Sequence, residues 1–439
     1  MQSKWGKVVN YSEYIKIIEA GCPEGIIARD EDSDAVQNEN NRFMQEFDYQ
    51  LRPRIIFGPH TVQRLGSLAR ELGCARALVV SDPGVVNAGI YAFGMESLRS
   101  VGVEVLGFHD LAENPNTHHV DLGVQCAREF QPDLLVGLGG GSSMDCAKGI
   151  NFLYSCGGRM SDYWGVGKAT HPMLPMIAIP TTSGTGSETQ SFALISDSET
   201  HVKMACGDPK AACRVAILDP ALTLTQPNSV TALTGIDAMT HALETFVCNK
   251  RTPISECYSR EAWQLLSRSF SHVLETGDDV NARGRMQLGA CFAGMAIEAS
   301  MLGAAHALAN PLTAMLGVAH GQAVGLMMPH VIRFNSAVVE KRYAELASLL
   351  PHDKSRTTQK ASDRVAEVFQ GWMQEAKLAT SLEGLPQWPS QSKADADDTQ
   401  LLLGQLADSA TKQWTASFNP RPASHPEMLQ IYQAALKSE

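Results

Sequence analysis

The sequence predicts an α/β domain with a parallel sheet, followed by an all-helical domain. Three observations carry that expectation. Between residues 47 and 226, short β-branched runs alternate with helical stretches, the pattern of a sheet covered on both faces. After Gln226 the strand-like runs stop, and Ala, Leu, Met and Gly recur at helical spacing. At 439 residues the chain is too long for one small core, so two domains are the default.

The elements follow in order. Residues 1–46 include "RDEDSDAVQNENNR", which is acidic, polar and aperiodic, and reads as an extension outside the core. The alternation starts at "RPRIIFGPH". "RALVVSDPG" (76–84), "VEVLGFHD" (103–110), "PDLLVGLGGG" (132–141), "LPMIAIPTTSG" (174–184) and "RVAILDP" (214–220) read as strands, being short apolar runs bounded by Gly, Pro and Asp. Between them, "TVQRLGSLARELG" and "HHVDLGVQCAREF" space their apolar residues as helices do. Val230 to Met328 reads as apolar helices, and from about Ser336 charged amphipathic ones follow, such as "EKRYAELASLL" and "ASDRVAEVFQGWMQEA". The expected segments are an extension (1–46), an α/β dinucleotide-binding domain (47–226) and a helical metal-binding domain (227–439).

Composition excludes some functions. With 44% hydrophobic and 19% charged residues, this is an ordinary globular chain. A net charge of -11 argues against a nucleic-acid partner, which calls for a basic face. It leaves anionic cofactors open, because backbone N–H groups hold phosphate without a basic surface. No apolar run is long enough to span a bilayer, so no membrane partner is expected. "MQSKWGKVVNYSEYIKIIEA" lacks the apolar core of a secretory signal. Ten cysteines form no CxxC pair, which suits reduced, mostly buried thiols in the cytoplasm.

Three loops at strand ends suggest a nucleotide. In "LLVGLGGGSSMDCAKGIN" (134–151) a buried strand runs through Gly140 and Gly141 to Ser142 and into a helix. Glycines allow close approach to the backbone, and a helix N-terminus offers unpaired N–H groups and a positive dipole end. The stretch is not GxGxxG, and it lacks the GK[ST] of a P-loop. Asp145 and Lys148 read as dipole and surface charges. "IPTTSGTGSE" (179–188) crowds Thr181, Thr182, Ser183, Gly184 and Thr185 into one turn, where the hydroxyls serve either a phosphate or a capped turn leading into a strand. Asp82 in "VVSDPG" suits both hydroxyls of an adenosine ribose, and equally the chemistry of a plain turn.

The helical region carries a second signal. "TALTGIDAMTHALETF" (231–246) places Asp237 and His241 four apart, on one helical face. Amid Ala, Met and Leu, such a pair is costly to bury without a partner. "HALANPLTAMLGVAHG" (306–321) adds His306 and His320. One carboxylate and three imidazoles form a donor set for a divalent first-row metal, Fe²⁺ or Zn²⁺. Any single pair also fits a hydrogen-bonded core, and spacing alone does not bring the four together.

"GGGSSMDCAK", "PTTSGTGSE", "LDP", "TGIDAMTHALE", "GAAHALANPLTA", "AHG" and "NPRP" occur in the order and rough spacing of the iron-containing (group III) alcohol dehydrogenases. The chain resembles that family from about Phe47 to its C-terminus. The resemblance implies a dehydroquinate-synthase-like architecture with a cleft between an α/β and a helical domain. It puts metal ligands on Asp237, His241, His306 and His320. It puts NAD contacts on Asp82, Asn114, Gly140, Gly141 and the Thr181–Thr185 loop, with Lys203 at the nicotinamide-side ribose. Fe²⁺ is the first choice of metal and Zn²⁺ the second.

Asn310 departs from lactaldehyde-reductase-like members, which carry histidine there. Asparagine can orient a substrate but cannot exchange a proton near neutral pH. Asn310 and Lys203 are therefore the expected supporting residues beside the metal. The implied activity is reversible hydride transfer between NAD and a small alcohol, aldehyde or ketone, by a cytoplasmic homodimer or higher homo-oligomer. Alternatives of the same fold are a hydroxyacid dehydrogenase and a metal-free maleylacetate reductase. From another class comes a non-catalytic nucleotide-binding protein.

Overall fold

The computed structural model describes residues 46–200, 202–351, 360–389 and 396–437. The expected extension lies outside these residues except for Glu46. The chain divides into two compact units, 1–47 and 48–439, and all elements below belong to the second.

Six strands form a fully parallel sheet in the order β1-β9-β6-β4-β2-β3, where β1 is Arg54–Phe57, β2 Arg76–Val80, β3 Glu104–Phe108, β4 Leu134–Gly139, β6 Met176–Pro180 and β9 Val215–Leu218. Successive side chains of a strand face opposite ways, and here both faces are buried. Leu78 and Val80 join one apolar cluster while Ala77 and Val79 join the other. Helices α1 (Leu65–Glu71), α2 (Pro83–Asn87), α3 (Ile90–Ser100), α4 (Thr117–Phe130) and α5 (Gly141–Cys156) connect the strands. From β2 the chain moves to the edge strand β3, then returns to place β4 on the other side of β2. Such a reversal opens a crevice at the carboxyl ends of the strands, where ligands bind in open α/β sheets. Asp82 follows β2 and Gly140 follows β4, so both stand at that crevice.

A second, three-stranded sheet joins β5 (Gly165–Val166), β8 (Lys203–Gly207) and β7 (Phe192–Ser196), with β7 and β8 antiparallel. A strand after the Thr loop was expected, and β7 is one, but a second sheet was not. Lys148 is the other difference: it is completely buried, not a surface charge. Its ammonium donates to Ser187 O at 2.6 Å, Ser187 Oγ at 2.9 Å and Phe192 O at 2.9 Å, tying α5 to the segment that enters β7. Three bonds meet the three donors of a lysine, which is how such a charge is tolerated inside.

From Asn228 onward the described elements are helices: α6 (Asn228–Val247), α7 (Pro253–Ser267), α8 (Phe270–Glu275), α9 (Val280–Glu298), α10 (Ala304–Leu316), α11 (His320–Leu349), α12 (Ala361–Glu375), α13 (Ala396–Thr411) and α14 (His425–Ala434). One large apolar cluster fills this part. Residues 235–247 of α6 are all buried, the polar Asp237, His241 and Glu244 included. α11 runs through Ser336 without a break there and bends at Val339 instead. Polar contacts join the helical part to the sheet. Gln287 on α9 donates to Pro180 O at 3.0 Å, and Glu298 accepts from Ser191 N at 3.0 Å and Ser191 Oγ at 2.6 Å. Among the described residues the cysteines are free, and no helix is long and apolar enough to cross a membrane.

Candidate active site

Three helices bring four predicted donors together. α6 carries Asp237, His241 and Glu244 along one face, α10 carries His306, and α11 begins at His320. Asp237 Oδ1 is the centre: His241 Nε2 lies 3.4 Å away, His306 Nε2 3.6 Å and His320 Nε2 3.8 Å. The His241 and His306 rings stack with centroids 4.9 Å apart. Asp237 Oδ1 and His306 Nε2 are buried without a hydrogen-bond partner. Buried acceptors so placed cost about 1–3 kcal/mol each unless something meets them, and a divalent cation would meet Asp237, His241 and His306, whose donor atoms lie within 4.8 Å of one another, with His320 Nε2 beside them. The residues fit the metal that the sequence suggested.

The sequence reading missed Glu244. Its Oε2 lies 2.6 Å from His306 Nδ1, and its Oε1 accepts from Ala305 N at 2.6 Å. The backbone bond fixes the carboxylate, the carboxylate fixes the imidazole tautomer, and His306 Nε2 is left to offer its lone pair. Its one signal in the sequence is position, since Glu244 follows His241 by three residues on the face already singled out.

Electrostatics agrees with this arrangement. Burial works to raise Asp237, but the three imidazoles outweigh it and hold the carboxyl well below its usual range. Burial pushes His320 down to about 3 and lowers His241 as well, so both imidazoles stay neutral. Burial also opposes charge on His306, yet Glu244 and Asp237 outweigh it and raise this imidazole to about 9. A cation taking the Nε2 position would displace that proton.

One cavity of about 900 Å³ runs from Asp82 to Asp237, His241, His306 and His320. Asn114, Gly140, Gly141, Ser142, Thr181, Thr182, Thr185 and Lys203 also line it. The geometry of Asp82 leaves both readings above open. It caps α2 by accepting from Val85 N at 3.0 Å, and it faces the cavity. Asn114 has a left-handed backbone, φ 55°, and its Oδ1 accepts from Lys203 Nζ at 3.4 Å. Ser183 and Gly184 do not line the cavity. Gly184 instead packs against α6, where a Cβ would meet Thr234 Cβ at 2.6 Å.

Asn310 is also outside the lining. Its Nδ2 donates to Gln413 Oε1 at 3.0 Å. The lining also includes residues that the sequence reading did not assign to the site, among them Asp145, which accepts from Ser187 Oγ at 2.6 Å, and Phe192.

Behind the Thr loop, burial raises the Glu188 carboxyl to about 7 from an ordinary 4.5. The folded state therefore holds that proton more tightly than the unfolded chain. Its stabilising contribution is complete below about pH 4.5 and is lost as pH rises through about 7. Glu188→Gln is expected to stabilise the protein at pH 8 by up to about 3 kcal/mol and to change nothing at pH 4. Urea unfolding at the two pH values measures the difference, and equal effects at both would refute the assignment.

Comparisons with known proteins identify the family. Residues 52–220 match the family described as iron-containing alcohol dehydrogenase, and residues 231–436 match the C-terminal region of the same family. The chain is similar to the NAD-dependent methanol dehydrogenase of Bacillus methanolicus, with 32% identity over 88% of this chain and 99% of that protein. It is also similar to the 1,3-propanediol dehydrogenase of Klebsiella pneumoniae, with 30% identity over 89% of this chain and 98% of that one. A crystal structure of a 1,3-propanediol oxidoreductase superposes with a TM-score of 0.84 at 29% identity, covering 89% of this chain and all of that one. With the motifs, the parallel sheet, the helical part and the buried Asp–His cluster in hand, the chain belongs to the iron-containing alcohol dehydrogenase family and is an oxidoreductase of that class.

Proposed function

We propose that this enzyme oxidises small primary alcohols with NAD⁺, and reduces the matching aldehydes with NADH, around a divalent cation held by Asp237, His241, His306 and His320. The observation that carries the proposal is the single cavity joining Asp82, at the sheet crevice, to the buried donor cluster. When bound, the cation supplies Lewis acidity to the alcohol oxygen and the nicotinamide takes the hydride.

The protein's own residues do the rest. Asp237 brings the one negative charge among the four donors, and Glu244 keeps His306 in the binding tautomer. Gly140, Gly141 and Ser142, at the start of α5, present amide N–H groups to a diphosphate. Asp82 receives the adenosine ribose hydroxyls. Lys203 and Asn114 hold each other at the nicotinamide end, where the released proton leaves by water and ribose hydroxyls. Ile297 and Leu302 keep bulk water from the reacting carbon. In this reading residues 47–226 bind the dinucleotide and 227–439 hold the metal. Asn310 acts through its neighbours and not on the substrate.

The free cysteines suit a cytoplasmic enzyme. We place it there as a homodimer or higher homo-oligomer, a state that light scattering would measure.

Two measurements on the same protein test the function. Fe²⁺ or Zn²⁺ added to chelator-treated enzyme should raise Tm, because a ligand that binds only the folded state stabilises it by about 2.7 kcal/mol at 100 times its Kd. The metal-loaded protein should then oxidise NADH with small aldehydes. Turnover that survives full chelation would move the enzyme to the metal-free reductases.

A further inference from the structure

We propose that Phe192 sets the chain length of the substrate, and that Asn310, Gln413 and Trp414 are positioning residues that hold its ring in place. The inference rests on the reading of the cavity as an alcohol and nicotinamide site.

Phe192 opens β7 and lines the cavity shared with Asp237 and His306. Three contacts fix it. The buried Lys148 donates to its carbonyl at 2.9 Å. Its ring covers Gly207, its partner across the β7–β8 ladder, so closely that a Cβ on Gly207 would meet Phe192 Cε1 at 2.3 Å. The third contact is the Trp414 ring, with centroids 5.9 Å apart and planes inclined by 34°.

Trp414 does not itself line the cavity. It opens the short 3₁₀ helix Trp414–Phe418 and meets Phe418 edge-on at 5.8 Å. Its chain neighbour Gln413 accepts from Asn310, which lies one helical turn beyond His306 on α10. An unbroken series of contacts thus runs from the helix bearing His306 to a ring of the second sheet. Without Trp414 the Phe192 ring would be free to change rotamer away from Gly207. With it, the ring is a fixed wall, and a rigid apolar wall discriminates by about 10–200-fold per methylene. The substrates it admits are short, unbranched alcohols and aldehydes.

The test is the kcat/KM profile over linear aldehydes from acetaldehyde to octanal. Phe192→Ala should raise the octanal to acetaldehyde ratio by about 10–100-fold. Trp414→Ala, at a residue 43% exposed and so tolerant of truncation, should raise it in the same direction. So should Asn310→Ala. Trp414→Ala added to Phe192→Ala should add nothing, because both act through one ring. Gln413→Glu keeps the acceptor for Asn310 and should keep the wild-type profile. Urea unfolding of the metal-free protein gives a readout independent of turnover. There the Asn310→Ala, Gln413→Ala double variant should lose no more stability than the worse single one. If Phe192→Ala moves the profile while Trp414→Ala and Asn310→Ala do not, the positioning role is wrong. An active wild type whose profile none of these variants moves overturns the whole inference. A metal-loaded wild type inert to every aldehyde and alcohol would instead overturn the function on which it rests.

Discussion

Asp237→Asn is expected to abolish metal retention and to lower kcat/KM by about a thousand-fold or more. The substitution keeps the shape of the side chain and removes only its charge. That charge is the sole negative one among the four donors, and its Oδ1 lies within 3.8 Å of all three imidazole Nε2 atoms. A divalent cation in so buried a place needs compensation, because charges taken out of water without a counter-charge are strongly disfavoured. Lewis-acid stabilisation of the developing alkoxide is worth several kcal/mol, and about 4 kcal/mol already corresponds to a thousand-fold in rate. Glu244→Gln should be milder, lowering metal affinity by about 10–100-fold, since it disturbs the orientation of one ligand and removes none. Metal content by atomic emission, measured beside steady-state kinetics, checks both variants. An Asp237→Asn protein that holds no metal and keeps its rate would refute the role given to the cluster.

How much of this was legible in the sequence depended on whether a signal is local. β2, β3, β4, β6 and β9 were read correctly because each is a short apolar run closed by Gly, Pro or Asp. The β5–β8–β7 sheet was not. "KMACG" has no β-branched residue, and its strand character comes from pairing with Phe192–Ser196 and not from its own composition. Lys148 misled for a related reason. Three residues after Asp145 it resembles a solvent-face pair, yet α5 carries apolar residues on every side, and a helix of that kind is buried. Spacing on α6 placed Asp237 and His241 on one face. That His306 and His320 join them is a fact of tertiary packing that only the family resemblance could supply. Glu244 and Gln413 were missed because their roles are defined by distant partners, His306 and Asn310.

A second large effect is expected at Asp82: the wild-type enzyme should favour NADH over NADPH by about a hundred-fold in kcat/KM. A 2′-phosphate brought beside this carboxylate meets repulsion of about 4 kcal/mol, for charges ~4 Å apart at an effective dielectric of ~20. A mobile side chain would escape much of that by rotating away. Asp82 has little freedom to do so. Oδ1 accepts from Val85 N at 3.0 Å and Oδ2 accepts from Ser143 Oγ at 2.9 Å, so both oxygens are held at the end of β2. Counter-ion screening still removes part of the repulsion, and about 2.7 kcal/mol remaining corresponds to the hundred-fold preference. Each carboxylate oxygen keeps a further lone pair, enough to accept from a ribose with free hydroxyls. Asp82→Gly should bring the two cofactors within about ten-fold of each other, chiefly by lowering KM for NADPH. Glycine is the replacement of choice because Asp82 caps α2, and at an N-cap it costs only a few tenths of a kcal/mol where alanine costs about 1. Ser143→Ala frees one oxygen and should weaken the preference in part, at unchanged kcat with NADH. Equal kcat/KM for NADH and NADPH in the wild type would show that Asp82 does no more than cap its helix.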